Sequence, residues 1–221
     1  MSIWAIVPVK PLRYSKSRMS SVLSVEEREA LSREMLVRTL HTLHAVDNIG
    51  GTMVVSRDSG ALALARSLGA HTLQESGAPD LNASLTLATK VMVSWRVRGV
   101  LLLASDVPLL QVEDIENMIA LAKRPPVVVL GSDRSGRGIN AMLVRPPGLL
   151  AYEYGLGSLR RYRNAAERAC ADVHVYESLT LGLDIDTPAD LDLYRELLAE
   201  QAFYAPHRDG LLRSATRARP E

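Results

Sequence analysis

Three acidic and four basic side chains stand where phosphate chemistry would need them. The basic group is Lys10, Arg13, Lys16 and Arg18, directly after the apolar run Ile3–Val9. Ammonium and guanidinium groups on a loop at a strand end can neutralise a triphosphate and a departing pyrophosphate. The first acid, Asp106, closes the most apolar stretch of the chain, Val100-Leu101-Leu102-Leu103-Ala104-Ser105. A carboxylate at such a place is costly unless it meets water, a donor or a metal. The other two acids lie in Gly182-Leu183-Asp184-Ile185-Asp186-Thr187-Pro188. In an extended segment Asp184 and Asp186 point to the same side, and their mutual repulsion invites a cation. Magnesium, which combines a few carboxylates with substrate phosphates, is the expected cofactor. Plainer readings compete at each position: a basic surface loop, a turn-capping Asp106, and an Asp186 that caps the helix opened by Thr187-Pro188.

Two glycine-rich turns add a candidate anion pocket. One is Asp133-Arg134-Ser135-Gly136-Arg137-Gly138-Ile139-Asn140; the other is Tyr154-Gly155-Leu156-Gly157-Ser158, which opens a helix. Backbone N–H groups at a helix start can cradle a carboxylate or phosphate. Each turn alone is a weak signal. The chain has neither G-x-x-x-x-G-K-[ST] nor G-x-G-x-x-G, which disfavours Walker-type ATPases and dinucleotide dehydrogenases. The five histidines show no metal-ligand spacing, and Tyr152, Tyr154, Trp4 and Trp95 read as packing residues.

Alternating strand and helix patterns must position these groups. Ile3–Val9, Thr52–Ser56, His71–Gln74, Val100–Ala104, Pro126–Leu130, Ala141–Val144, Val173–Tyr176 and Leu181–Ile185 read as strands. Helices are expected between them: from Ser24, with Glu27 completing a capping box, over Ser59–Leu68, Asn82–Trp95, Val112–Ala122 and Ser158–Cys170, and after Thr187. This order predicts an α/β, Rossmann-like three-layer sandwich: a mostly parallel central sheet with helices on both faces. Ligands then bind beyond the carboxyl ends of the strands. The expected domain is 1–205, with a flexible tail at 206–221 rich in Arg, Gly, Pro and Ser.

Bulk properties narrow the partners. A net charge of +1 argues against a nucleic-acid binder and for a small anionic ligand of the local cationic clusters, among them Arg160, Arg161 and Arg163. One cysteine, Cys170, excludes an intrachain disulfide framework and a cysteine-rich zinc site. No apolar run is long enough for a membrane span and no signal-peptide pattern is visible, so a cytoplasmic location is expected. A homodimer is the expected oligomer, without a residue pattern behind it.

The ordered set of motifs resembles the 2-phospho-L-lactate or phosphoenolpyruvate guanylyltransferases of deazaflavin coenzyme F-420 biosynthesis. These are relatives of molybdopterin-cofactor guanylyltransferases and of nucleotide-diphospho-sugar transferases. The resemblance covers about residues 3–200. Its landmarks are Val7-Pro8-Val9-Lys10-Pro11-Leu12 with Lys16-Ser17-Arg18, Leu81-Asn82-Ala83, and Ser105-Asp106-Val107-Pro108-Leu109. They continue with Asp133-Arg134 leading to Gly136-x-Gly138-x-Asn140, Gly155-x-Gly157-Ser158, and Asp184-Ile185-Asp186-Thr187-Pro188. The resemblance implies that GTP and a phospho-acid give a guanylylated product and pyrophosphate. It implies that Lys10, Lys16 and Arg18 meet the triphosphate, with Leu81 and Asn82 near the nucleotide. Asp106, Asp184 and Asp186 would organise magnesium, Lys10 and Asp106 being the catalytic pair. Backbone amides around Ile139, Gly155 and Ser158, with Asn140 and Gly157 in the same turns, would receive the acid. The family often has threonine where this chain has Ile139, which leaves the choice among phosphoenolpyruvate, 2-phospho-L-lactate and 3-phosphoglycerate open, with phosphoenolpyruvate favoured. Rival readings are a different acceptor, such as molybdopterin or a sugar phosphate, and a non-catalytic nucleotide-binding regulator.

Overall fold

The computed structural model describes residues 2–76 and 80–200. Seven strands form one sheet: β1 (Ile3–Val9), β2 (Ile49–Ser56), β3 (His71–Gln74), β4 (Gly99–Leu103), β5 (Val127–Ser132), β6 (Ile139–Arg145) and β7 (Asp172–Tyr176), in the order β3-β2-β1-β4-β6-β5-β7. All neighbours are parallel except β6, which runs antiparallel to both β4 and β5. The helices are α1 (Val25–His44), α2 (Ser59–Ser67), α3 (Leu81–Ser94), α4 (Val112–Leu121), α5 (Ser158–Arg168), the short α6 (Leu179–Gly182), and a final helix α7 across 188–200.

Strand periodicity divides the core into two layers. Ala5, Val7, Val54, Leu101, Leu103 and Val129 face α1, α2 and α4, whereas Ile6, Met53, Val55, Leu102, Val128 and Met142 face α3 and α5. Successive side chains on a strand point to opposite faces, so a sheet covered twice needs apolar residues at every position. β4 meets that demand: all five of its residues are buried. The Ser24–Glu27 capping box is present. Two other helices start on carboxylates, Asp58 before α2 and Asp80 before α3, each accepting from two first-turn amides.

One expected strand is absent. Leu181–Ile185 forms no ladder: a helical turn, α6, is followed by an unpaired extended segment. Its apolar alternation serves a third, smaller core instead, where Leu183 and Ile185 pack with Met19, Met35, Leu109, Leu191 and Tyr194. The expected tail at 206–221 lies outside the described residues, as does the domain boundary at 205. Among the described residues no helix is long and apolar enough to cross a membrane.

Candidate active site

The carboxyl ends of β1 to β4 open into a cleft of about 720 Å³, within the size range of small-molecule sites. Lys10, Lys16, Asp106 and Asp186 line one end; Arg57, Glu75 and Leu81 line the other. The loop after β1 is fixed before it reaches the cleft. Leu12 donates its amide to Asp58 at 2.9 Å, and the buried Ser15 hydroxyl bonds to the Leu12 carbonyl at 2.7 Å. Arg28 of α1 donates to the Ser15 carbonyl at 3.4 Å. Lys16 then adopts a left-handed conformation, φ 56°, which costs a non-glycine residue roughly 1–2 kcal/mol. The turn brings its ammonium to 2.6 Å from Asp106 and 3.4 Å from Asp186, with the side chain only 5% exposed. Arg18 reaches the other oxygen of Asp186 at 3.4 Å. Lys10 is exposed and forms no ion pair among the described residues. The basic loop therefore splits: Lys16 and Arg18 compensate acids, and Lys10 remains available for an anion.

Two backbone connections bring the acids together. The Ile185 amide donates to the Asp106 carbonyl at 3.1 Å, and the Ala104 amide donates to the Asn140 carbonyl at 2.8 Å. With Leu183 and Ile185 held in the small core, Asp184 and Asp186 turn to the opposite side, as alternation requires. Burial first, and then the charges of Asp106 and Asp186, push the Asp184 carboxyl above the ordinary carboxylate value. Among the described residues no group of three or more acids, histidines or cysteines converges as a preassembled metal cage. The Lys16 ammonium lies between Asp106 and Asp186 instead.

The segment carrying Asp184 and Asp186 is fastened at both ends. Upstream, Asp114 of α4 is 3% exposed and accepts from Tyr176 (3.0 Å), Ser178 (2.6 Å), Thr180 (2.7 Å) and the Gln111 amide (3.0 Å). Downstream, Asp190 accepts from the amides of Asp186 and Thr187 and pairs with Arg134 at 3.3 Å. Burial opposes the charge on Asp190, but these donors outweigh it and hold its pKa below the ordinary carboxylate value.

In the expected acid pocket many polar groups have partners within the protein. The Asn140 side-chain amide is one of them. It donates to the carbonyls of Leu181 (3.0 Å) and Gly182 (3.1 Å) and to Asp184 (3.5 Å). Ile139 is buried, and the Ser158 amide donates within its own turn to the Gly155 carbonyl at 3.1 Å. Gly157, at φ 70°, caps α5. The 133–138 loop wraps round Asp133, whose carboxylate accepts from Ser135, the Arg137 amide and the Gly138 amide, each at 3.0 Å. A β-carbon on Gly138 would lie 2.6 Å from that carboxylate. Arg161 braces the turn, donating to the Glu153 and Leu156 carbonyls. Arg163 pairs with Glu167. Asn82 accepts from the Tyr154 amide at 2.9 Å and so ties α3 to this turn. None of Asn82, Ile139, Asn140, Gly155, Gly157 or Ser158 lines the main cleft. Arg57, Glu75 and Asp114 escaped the motif reading, although Arg57 and Glu75 directly follow β2 and β3.

A match to the family model described as "Guanylyl transferase CofC like" spans residues 3–199. The chain belongs to this family. It is 36% identical to the phosphoenolpyruvate guanylyltransferase of Rubrobacter xylanophilus, over 86% of this chain and 92% of the relative. It is 33% identical to the 2-phospho-L-lactate guanylyltransferase of Methanothermobacter thermautotrophicus, over 86% and 83% respectively. The fold is shared with a crystal structure from Desulfovibrio desulfuricans G20 described as a nucleotide-diphospho-sugar transferase. That likeness has a TM-score of 0.75 at 16% identity, covering 97% of this chain and 98% of the other. The chain is thus a nucleotidyltransferase-type enzyme of the guanylyltransferase family, on the Rossmann-like sandwich its sequence pattern implies.

Proposed function

We propose that the protein transfers GMP from GTP to phosphoenolpyruvate, or to 2-phospho-L-lactate, with release of pyrophosphate, as a step in making the deazaflavin coenzyme F-420. The observation that carries this reading is the convergence of Lys10, Lys16, Asp106 and Asp186 in one cleft at the strand ends, together with the substrates named for the two relatives. A phosphate oxygen of the acid attacks the α-phosphorus in line. The new P–O bond forms as the bond to the β-bridging oxygen breaks, and pyrophosphate leaves with the electron pair. A phosphate dianion needs no general base, so the barrier is anion repulsion and alignment. Lys10 neutralises phosphate charge at the mouth of the cleft, and the 133–138 and 154–158 turns position the acid.

Magnesium fits the donor set. Asp106, Asp184 and Asp186 offer only oxygen ligands, and the pKa of Asp184 is raised first by burial and then by the neighbouring charges of Asp106 and Asp186, both of which a bound cation would relieve. A cation that keeps several waters and takes substrate phosphate needs only a few protein carboxylates. When bound, it would supply Lewis-acid stabilisation of the phosphoryl oxygens. The test is a mass-spectrometric product assay with GTP, magnesium and each of phosphoenolpyruvate, 2-phospho-L-lactate and 3-phosphoglycerate. A guanylylated product from phosphoenolpyruvate or 2-phospho-L-lactate is expected. Absence of product with both, or product only with a sugar phosphate, rejects the reading.

A further inference from the structure

The cleft extends well beyond its charged end. It runs from Asp106 after β4, past Lys10 after β1 and Arg57 after β2, to Glu75 after β3. Adjacent strands lie about 4.8 Å apart, so three spacings cover roughly 14 Å. That is about the reach of a nucleotide from its α-phosphate to the far edge of a purine. With the phosphates at the Lys10 and Asp106 end, the base falls beside Arg57 and Glu75. This step rests on the guanylyltransferase reading.

We infer that Glu75 and Arg57 form the base-reading pair and select guanine by its acceptor–donor–donor edge. The side chains are 28% (Arg57) and 16% (Glu75) exposed, and Arg57 Nε lies 3.7 Å from the Glu75 carboxylate. This separation exceeds a hydrogen bond, so the carboxylate keeps capacity to accept from a ligand. Glu75 is held by its amide, which donates to the Ser56 carbonyl at 2.9 Å and continues the β2–β3 ladder. The pair therefore presents donors beside a two-oxygen acceptor. Guanine offers O6, N1–H and the 2-amino group in matching order: O6 accepts from Arg57, and the two donors meet the two carboxylate oxygens. Adenine and cytosine begin with a donor where guanine has O6, which sets an amino group against the guanidinium. Uracil and hypoxanthine match the first two positions and lack the last donor. The nearby Asp80 is a poorer reader, because its Oδ1 already accepts from the Asn82 and Ala83 amides at 2.9 and 3.2 Å.

The test uses isothermal titration of GTP, ITP and ATP in magnesium buffer, on wild-type protein and on Glu75→Gln and Arg57→Met. ITP differs from GTP only by the 2-amino group. Wild-type protein should bind GTP roughly tenfold or more tightly than ITP, as expected for a hydrogen bond to a charged acceptor. Glu75→Gln should bring that ratio close to one, and Arg57→Met should weaken GTP and ITP alike. An unchanged GTP-to-ITP ratio in a Glu75→Gln protein with native melting behaviour overturns the assignment. Equal wild-type affinities for GTP and ITP also overturn it, whether or not the variants fold. Tighter wild-type binding of ATP than of GTP would instead sink the guanylyltransferase reading itself, which separates the two failures.

Discussion

Truncation of Asp114 tests whether the acidic segment is held from behind. Asp114→Ala deletes four accepted hydrogen bonds at a residue 3% exposed. Removal of a single bond to a charged acceptor costs about 1.5–3 kcal/mol. Two effects reduce the sum: the freed Tyr176, Ser178 and Thr180 hydroxyls are partly buried and can recruit water, and a desolvated carboxylate disappears. A net loss of about 3 kcal/mol is expected. For a chain of this size each kcal/mol moves the melting midpoint by ~2–4 °C, giving a drop of ~6–12 °C. The effect should reach catalysis. Ser178 caps α6 through the Leu181 amide, α6 carbonyls hold Asn140, and Asp184 follows two residues after α6. Turnover at saturating substrates should therefore fall tenfold or more, with Asp114→Asn intermediate because it keeps the shape and one acceptor oxygen. Urea denaturation and steady-state pyrophosphate release measure both. A stability loss below about 1 kcal/mol with normal turnover would show that Asp114 does not hold the segment.

Three further perturbations probe the charge arrangement and the acid loop. Lys16→Met leaves Asp106 and Asp186 without their buried ammonium; with those acids 29% and 46% exposed, the stability loss should be about 1–3 kcal/mol, below that of a fully buried pair. The same variant should bind Mn²⁺ more tightly and turn over more slowly, as read by paramagnetic resonance titration and product assay. Asp184→Asn should abolish turnover yet stabilise the metal-free fold at neutral pH, in differential scanning fluorimetry with chelator. The sign follows from the raised carboxyl: the folded state binds the proton more strongly, so wild-type stability falls as pH rises from the ordinary value of 3.8 through the folded one. The advantage of asparagine is therefore full above that window and vanishes below it. Gly138→Ala sets a methyl against the Asp133 carboxylate and should cost about 1–2 kcal/mol while raising KM for the acid more than for GTP.

Much of the scaffold is legible from periodicity and punctuation. The Ser24–Glu27 box starts α1 as its sequence implies, and the all-apolar β4 lies in mid-sheet. Strand direction is harder, because side-chain alternation is the same in either sense. The antiparallel course of β6 is readable only from the six-residue link 133–138, too short for a parallel crossover. The Leu181–Ile185 alternation mimics a strand because one face of an extended segment is buried, but in a helix-lined core rather than in a ladder. At the site, Asp106 and Asp186 meet Lys16 and Arg18 of the basic loop, two groups that spacing alone sets side by side. Spacing does not reveal the hold of Asn140 on the Leu181 and Gly182 carbonyls, since a polar residue on a buried strand looks the same whether it serves a ligand or neighbouring carbonyls. Arg57 and Glu75 carry no motif at all, and only their place directly after two strands distinguishes them.

The reversed strand β6 also determines how the 133–138 turn is anchored. Because β5 and β6 form a hairpin, the 133–138 turn is closed at its base by the Asp133 amide on the Gly138 carbonyl at 3.1 Å, and Arg134 within it reaches the Gly182 carbonyl at 2.8 Å and Asp190 at 3.3 Å. Insertions or exchanges at such a tip leave the register of every other strand intact. Exchanges elsewhere in the tip thus spare the sheet, whereas a change at Arg134 reaches the acidic segment through Gly182 and Asp190.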